Sequence, residues 1–409
     1  MAVSIAELIG LSLLADWLFR RLGMPGLIGM LLVGVALGPF ALGAIDPSLL
    51  AIGADLRVIA LIVILLRVGL ELSRATLHRV GRHVLLLAFV PAVIEMSAVA
   101  LVGSRLLGLT PLESLVLGTV LAAVSPAVIV PAMLRFKALR RGEAKDVPSL
   151  VMAAASVDDV FVIVVHSAVL GLYVGQHTGV AMQIASVPLA LVAGAVVGLG
   201  AGLLLYHVFV RFNPRATKRA LAMIALSILI AVRLDDLLAG VFPFAGLVAA
   251  MVIGFVILER DEAMAHELST KLAKVWIFAE IVLFAMVGAE VDVRLAWQAG
   301  LVGALTIAVG LIGRFAGVWA CLLGSTLDAR ERLFVAIAFS PKATVQAAIG
   351  ASPLLAMRAA GLDSAPGDLI LAIAVLSIVL TAPLGAWALR RFGERLLGPP
   401  GPVPRQAQR

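Results

Sequence analysis

SLVMAAASVDDVFVIVVHSAVLGLY, residues 149–173, is an apolar run long enough to cross a bilayer, and it carries two adjacent acids, Asp158 and Asp159. A charged side chain at the centre of a membrane helix costs roughly 2.5–3.5 kcal/mol even on insertion scales, so such residues are rare and functional. Counted from Val147 at 1.5 Å per residue, the pair sits about 17–18 Å along the helix, near the middle of a hydrocarbon layer roughly 30 Å thick. Successive helical positions point about 100° apart. One carboxylate is therefore free to face an ion cavity while the other faces a helix partner, which is not the geometry of a shared-proton dyad.

The rest of the chain agrees with a membrane setting. Of 409 residues, 62% are hydrophobic and 14% charged, with a mean hydropathy of +1.10. A soluble domain carries roughly 25% charged residues, so a soluble enzyme is excluded. The single cysteine, Cys321, rules out a disulfide framework and a cysteine-based metal site. The first apolar segment has no basic region before it and no cleavage site, and is expected to be a retained helix. Apolar periodicity predicts an all-α polytopic protein with about thirteen spans: 5–19, 26–43, 56–72, 83–107, 111–134, 147–173, 180–210, 217–232, 237–258, 270–291, 297–324, 331–357 and 367–389.

Charge sets the orientation. One set of loops together with the C-terminal tail holds 24 of the 32 Lys and Arg, and the opposite face holds five. The positive-inside rule puts the C-terminus in the cytoplasm and the N-terminus outside. The net charge of +7 is thus topology, and no nucleic-acid partner is expected. The remaining three, Arg67, Arg314 and Lys342, lie inside predicted spans.

An internal repeat appears next. LLRVGLEL at 65–72 resembles FAMVGAEV at 284–291, and SPAVIVPA at 125–132 resembles SPKATVQA at 340–347, at offsets of 219 and 215. Both pairs are seven spans apart. Seven is odd, so the second copy is inverted, an arrangement typical of secondary transporters. Repeat one covers about 5–173, a linker helix about 180–210, and repeat two about 217–389. Pro126, Pro131 and Pro341 fall in matched spans beside Ser125, Ser340, Thr344 and Gln346, which predicts two crossed, discontinuous helices with free backbone groups at the repeat interface. Lys342, just past one break, is assigned to balancing the carbonyl-bearing helix ends. Shifting 158–159 by the repeat offset lands in IAVLSI, 373–378, where no acid stands. The carboxylates, and with them the site, are assigned to the first repeat alone.

Hard monovalent cations want oxygen ligands. Asp159, Asp158, the hydroxyl of Ser156 one turn before Asp159, and Ser125 at the break supply them. A desolvated carboxylate beside a second one holds a proton or a cation but not both, and that competition is antiport. Glu95 and Arg314, mid-span and 219 apart, are expected to form a buried ion pair in pseudo-symmetric positions. The rival pairing takes Arg314 to Asp158 until a cation displaces it; the shared offset favours Glu95. Glu280 is a secondary proton or packing residue, His166 a satisfied core histidine or an outer pathway residue, and Arg67 is near enough to a span end to snorkel.

LAAVSPAVIVPAML (121–134), VPSLVMAAASVDDVFVI (147–163), GRFAGV (313–318) and ERLFVAIAFSPKATVQAAIG (331–350) together resemble the NHA branch of the monovalent cation/proton antiporter superfamily. The resemblance implies an NhaA/NapA-like antiporter fold. It also implies a core bundle (about 83–173 and 297–389), a dimerisation part (about 5–72 and 217–291), a homodimer and elevator-like motion. It places the principal cation and proton carrier at Asp159 with Asp158 beside it, the core ion pair at Glu95 and Arg314, and the crossing-helix lysine at Lys342. Some relatives carry lysine where this chain has Arg314, and arginine stays charged. The short 390–409 tail implies no nucleotide-binding regulatory domain. No cofactor is expected, and the plasma (inner) membrane is the expected location.

The leading expectation is exchange of sodium or lithium for protons, with potassium/proton exchange as the alternative. An intramembrane aspartyl protease needs its acids on different helices, and no Gly-x-Gly-Asp pattern adjoins Asp159. A zinc protease needs a second histidine that AHELSTK, 265–271, does not provide. A passive channel fits poorly with inverted repeats meeting at carboxylates.

Overall fold

The structure, a computed structural model, describes residues 1–71, 74–174, 180–238, 242, 244–289, 291 and 293–398. These are helical and contain no strand. In chain order come α1 (Ala2–Arg21), α2 (Gly26–Leu37), α3 (Pro47–Ala51), α4 (Gly53–Glu71), α5 (Arg74–Leu106), α6 (Pro111–Leu121), α7 (Pro126–Ala138), α8 (Val147–Tyr173) and α9 (Val180–Phe212). They are followed by α10 (Ala216–Ile228), α11 (Asp235–Leu238), α12 (Gly246–Arg260), α13 (Glu262–Ala289), α14 (Val293–Cys321), α15 (Ala329–Ala338), α16 (Thr344–Ile349), α17 (Ser352–Ala359) and α18 (Ala365–Leu396). Each of the thirteen predicted segments carries helix. Among the described residues seven helices are individually long and apolar enough to cross a membrane, and α2 and α6 are shorter apolar helices.

Among the segments that depart from single helices, three are cut next to a proline for a local reason. The 26–43 segment stops at Leu37, where Gly38 turns extended ahead of Pro39; a residue before proline is pushed out of the helical region. The 111–134 segment divides at 122–125. Ser125 is extended (φ −110°, ψ 106°), and Pro126 opens α7 at a position where its missing N–H is harmless. The 331–357 segment divides twice, first at 339–343 around Ser340-Pro341 and again before Pro353.

The first halves of the two split segments begin alike. Thr110 caps α6 and Glu113 reaches back to it; Asp328 caps α15 and Glu331 reaches back in the same way. These capping boxes lie 218 residues apart, inside the repeat offset.

Packing follows the repeat. α5 lies along α14, its counterpart, with α8 and α18 flanking them. Close approach depends on small residues, as in other membrane bundles. A Cβ on Gly317 of α14 would stand 2.7 Å from the Cα of Pro91 in α5, and one on Gly385 of α18 would stand 2.4 Å from the ring of Pro341. The second break is thus seated in a slot that only glycine leaves open. One large apolar cluster joins α2, α4, α10, α12 and α13 with the inner side of α9 and reaches α16 and α18. Two others fill the space among α5, α6, α7, α8, α14, α15 and α18.

Candidate functional site

The two interruptions cross and bond to each other. The Ser125 N–H donates to the carbonyl of Pro341 at 2.9 Å, and the Thr344 N–H donates to Ser125 Oγ at 3.4 Å. Gln346 Nε2 faces the buried C-terminal end of α6 and donates to the carbonyls of Ala123, Val120 and Leu121 at 2.8, 3.3 and 3.4 Å. The Lys342 N–H is taken by Thr381 Oγ1 of α18 at 2.8 Å. Unwinding frees these groups, and buried backbone polar groups must find partners. Here each break supplies partners to the other.

Five charged side chains are buried around this crossing: Glu95, Asp158, Asp159, Arg314 and Lys342. Arg314 on α14 is wholly buried. Its Nε donates to Glu95 Oε2, while Nη1 and Nη2 lie 3.3 and 3.2 Å from Asp158 Oδ1. The two pairings that sequence set against each other coexist, because a guanidinium presents five donors in a fork and serves two carboxylates at once. The Phe339 ring lies 5.9 Å from the guanidinium carbon, within cation–π range. Sequence reasoning gave Lys342 the helix ends, but its Nζ lies 2.7 Å from Glu95 Oε2. A full carboxylate outcompetes the fractional charge of a helix end, and the carbonyl ends fall to Gln346.

Asp158 is held further by the Val124 N–H, 3.1 Å from Oδ2. Lys342, Glu95, Arg314 and Asp158 thereby form a chain of alternating sign. Asp159 stands outside it. The residue is 6% exposed, its Oδ1 has no hydrogen-bond partner, and among the described residues it makes no ion pair. The side chain of Ser156 lies outside the described residues. Ser125 is buried and occupied by Thr344, and Ser340 Oγ turns back to the carbonyl of Ile337 at 2.8 Å.

His166 is brought to a separate polar knot, with Nδ1 2.9 Å from Thr119 Oγ1 and Nε2 2.7 Å from Ser352 Oγ. Glu280 and Arg67 lie away from the crossing, in α13 and α4, and Arg67 Nε is buried without a partner. Among the described residues no three His, Cys, Asp or Glu side chains are placed to hold a metal ion.

Sequence reasoning missed the Lys342–Glu95 contact, the capping work of Gln346 and the part of Thr381. It assigned the carboxylates to the first repeat alone and set Lys342, Thr344 and Gln346 beside the second break, and the structure brings all three to the crossing. The signal lay in SPKATVQA itself, whose polar residues fall at 340, 342, 344 and 346.

Residues 9–392 match the family model described as sodium/hydrogen exchanger, transmembrane. The chain is 31% identical over 391 residues to sodium/hydrogen exchanger 9B2 of Mus musculus, covering 91% of this chain and 69% of that protein. It is 29% identical over 387 residues to sodium/hydrogen exchanger 9B1 of Homo sapiens, covering 91% and 73%. Its fold is similar to that of the sodium proton antiporter MjNhaP1 of Methanocaldococcus jannaschii, with a TM-score of 0.83, 20% identity and 96% of each chain covered.

Proposed function

The chain belongs to the sodium/hydrogen exchanger family, and on that premise we propose that it exchanges sodium or lithium for protons across a membrane, with Asp159 carrying either ion in turn. The observation that carries this reading is the charge count at the crossing. Three buried carboxylates face two buried cations, and the pairs already made leave Asp159 as the unmatched acid. An isolated carboxylate in low dielectric is strongly unfavourable until something neutralises it. A proton does so by covalent attachment, and a monovalent cation does so by coordination. Either one balances the cluster, and both together would overcharge it.

Exclusive occupancy by one positive charge makes the two ions exchange one for one. Asp158 holds Arg314 rather than the cargo, and Arg314 stays charged throughout. The two breaks supply the surrounding backbone dipoles, and the repeat interface is where a rocking motion would expose the site alternately to either side. The bundle of 83–173 and 297–389 would move against the 5–72 and 217–291 part in a homodimer. The basic loops favour a cytoplasmic C-terminus and an N-terminus outside.

Asp159→Asn tests the assignment in proteoliposomes loaded with a pH dye and challenged with sodium, lithium or potassium. The expected result is folded protein with no cation-driven proton movement; retained exchange with any of the three would remove Asp159 from the site. The competition has its own consequence. Below the pH at which Asp159 takes up its proton, half-saturating sodium rises about tenfold per pH unit, equivalent to roughly 1.4 kcal/mol. Half-saturation that holds steady across acidic pH would point to a channel or uniporter.

A further inference from the structure

We propose that the second repeat completes the cation's oxygen shell, with Thr344 Oγ1 and Gln346 Oε1 as neutral ligands beside Asp159 Oδ1, and that these two oxygens set which monovalent cation is accepted. This rests on the exchange reading and extends it to residues in the opposite repeat.

Three buried side-chain oxygens at the crossing lack any hydrogen-bond partner: Asp159 Oδ1, Thr344 Oγ1 and Gln346 Oε1. Thr344 is 1% exposed and Gln346 is wholly buried. Native proteins rarely leave such atoms unmet, and where they do a ligand is one of the standard explanations. The Gln346 amide is not free to turn over. Its Nε2 is fixed by the carbonyls of Ala123, Val120 and Leu121, so Oε1 must point away from them. Thr344 uses its backbone N–H on Ser125 and leaves its hydroxyl unspent.

These residues border the same short unwound stretch that bonds Asp158 of α8. Gln346 reaches Ala123, Thr344 reaches Ser125, and Val124 between them donates to Asp158, the neighbour of Asp159. Neutral oxygens suit the task because they add coordination without adding charge, so one cation or one proton still balances the cluster. The number and strength of such neutral dipoles discriminate among monovalent cations. A hydroxyl and an amide carbonyl also cannot compete for the transported proton at neutral pH.

Thr344→Val keeps the shape and removes the oxygen; Thr344→Ser keeps the oxygen. Both are compared in the full chain by two measurements: sodium and lithium dependence of proton movement in proteoliposomes, and the rise in melting temperature with added sodium in detergent. In sodium-free buffer Thr344→Val should melt at or above the wild-type temperature, because the hydroxyl it removes has no partner. Its half-saturating sodium should rise about tenfold with a changed sodium-to-lithium preference, and Thr344→Ser should restore both. Thr344→Ala repeats the test should valine disturb folding. Wild-type half-saturation, ion preference and sodium-dependent melting in Thr344→Val overturn the inference. A wild-type chain that moves no protons with any cation would instead sink the exchange reading, and the melting series still decides whether Thr344 meets sodium.

Discussion

The two interrupted helices begin alike and end differently. Both first halves are closed by a capping box, Thr110 with Glu113 and Asp328 with Glu331, and both break ahead of a Ser-Pro pair. At its break the first offers chiefly backbone: the Val124 N–H for Asp158 and the carbonyls of Val120, Leu121 and Ala123 for Gln346. The second offers side chains, Lys342, Thr344 and Gln346. Charge is divided in the same way, with all three buried acids at the crossing in the first repeat and both cations in the second. Capping and proline breaks depend on backbone geometry, which a duplicated sequence keeps. The charged residues of the two halves carry complementary signs, so the ion chain ties one half to the other.

The largest way to break that comparison is to strand one sign. Arg314→Gln leaves Asp158 with only the Val124 N–H, and Glu95→Gln leaves Lys342 without its carboxylate. Each should lower stability by about 3–5 kcal/mol, the usual result of orphaning a buried charge. Thermal melting in detergent measures it. Glu95→Gln combined with Lys342→Met should be less damaging than the sum of the two single changes, since the pair then disappears together. Additive losses would mean that the repeats are fastened by packing alone.

A middle-sized effect separates side-chain from backbone contributions. Gln346→Leu removes the donor that meets three carbonyls of the opposite repeat, and an unmet buried acceptor costs about 1–3 kcal/mol. The loss should appear as lower melting and faster amide exchange at the C-terminal end of α6, although the substitution lies in the other repeat. Exchange that speeds up only within α16 would show that the two breaks are independent.

Much of this was legible in the chain. The acids in SLVMAAASVDDV, the inverted repeat and the breaks at Ser125-Pro126 and Ser340-Pro341 follow from hydropathy, parity and proline chemistry, which are local properties. What stayed hidden depends on distance across the fold. An offset of 219 pairs Glu95 with Arg314, but nothing in sequence says that a forked guanidinium also reaches Asp158 or that Lys342 arrives on the far side of Glu95. Which of two adjacent acids stays unmatched is likewise decided by where α14 packs. The matched capping boxes, by contrast, were open to view as T-x-x-E and D-x-x-E 218 residues apart.

Those boxes give the smallest test. Asp328 accepts from the N–H groups of Arg330 and Glu331 at 2.8 and 2.9 Å, whereas Thr110 accepts from Glu113 alone at 3.3 Å. Losing such a cap costs about 1 kcal/mol, and Asp328→Ala should cost more than Thr110→Ala at neutral pH. The two should also differ in acid. The Glu331 N–H, and then that of Arg330, hold the Asp328 carboxyl below its ordinary value of 3.8. A carboxylate depressed in the folded state contributes fully above its unfolded value and loses that contribution as pH falls through the folded one. The gap between the two variants should therefore begin to narrow below about pH 4, the unfolded value, and close as pH falls through the lower folded-state value of Asp328, while Thr110 is unchanged. Asp328→Asn, which keeps an acceptor oxygen without the charge, should retain part of the cap and lose the pH dependence. A gap as wide in acid as at neutrality would mean that the cap acts through shape, and that the two breaks differ in charge only where the five buried residues meet.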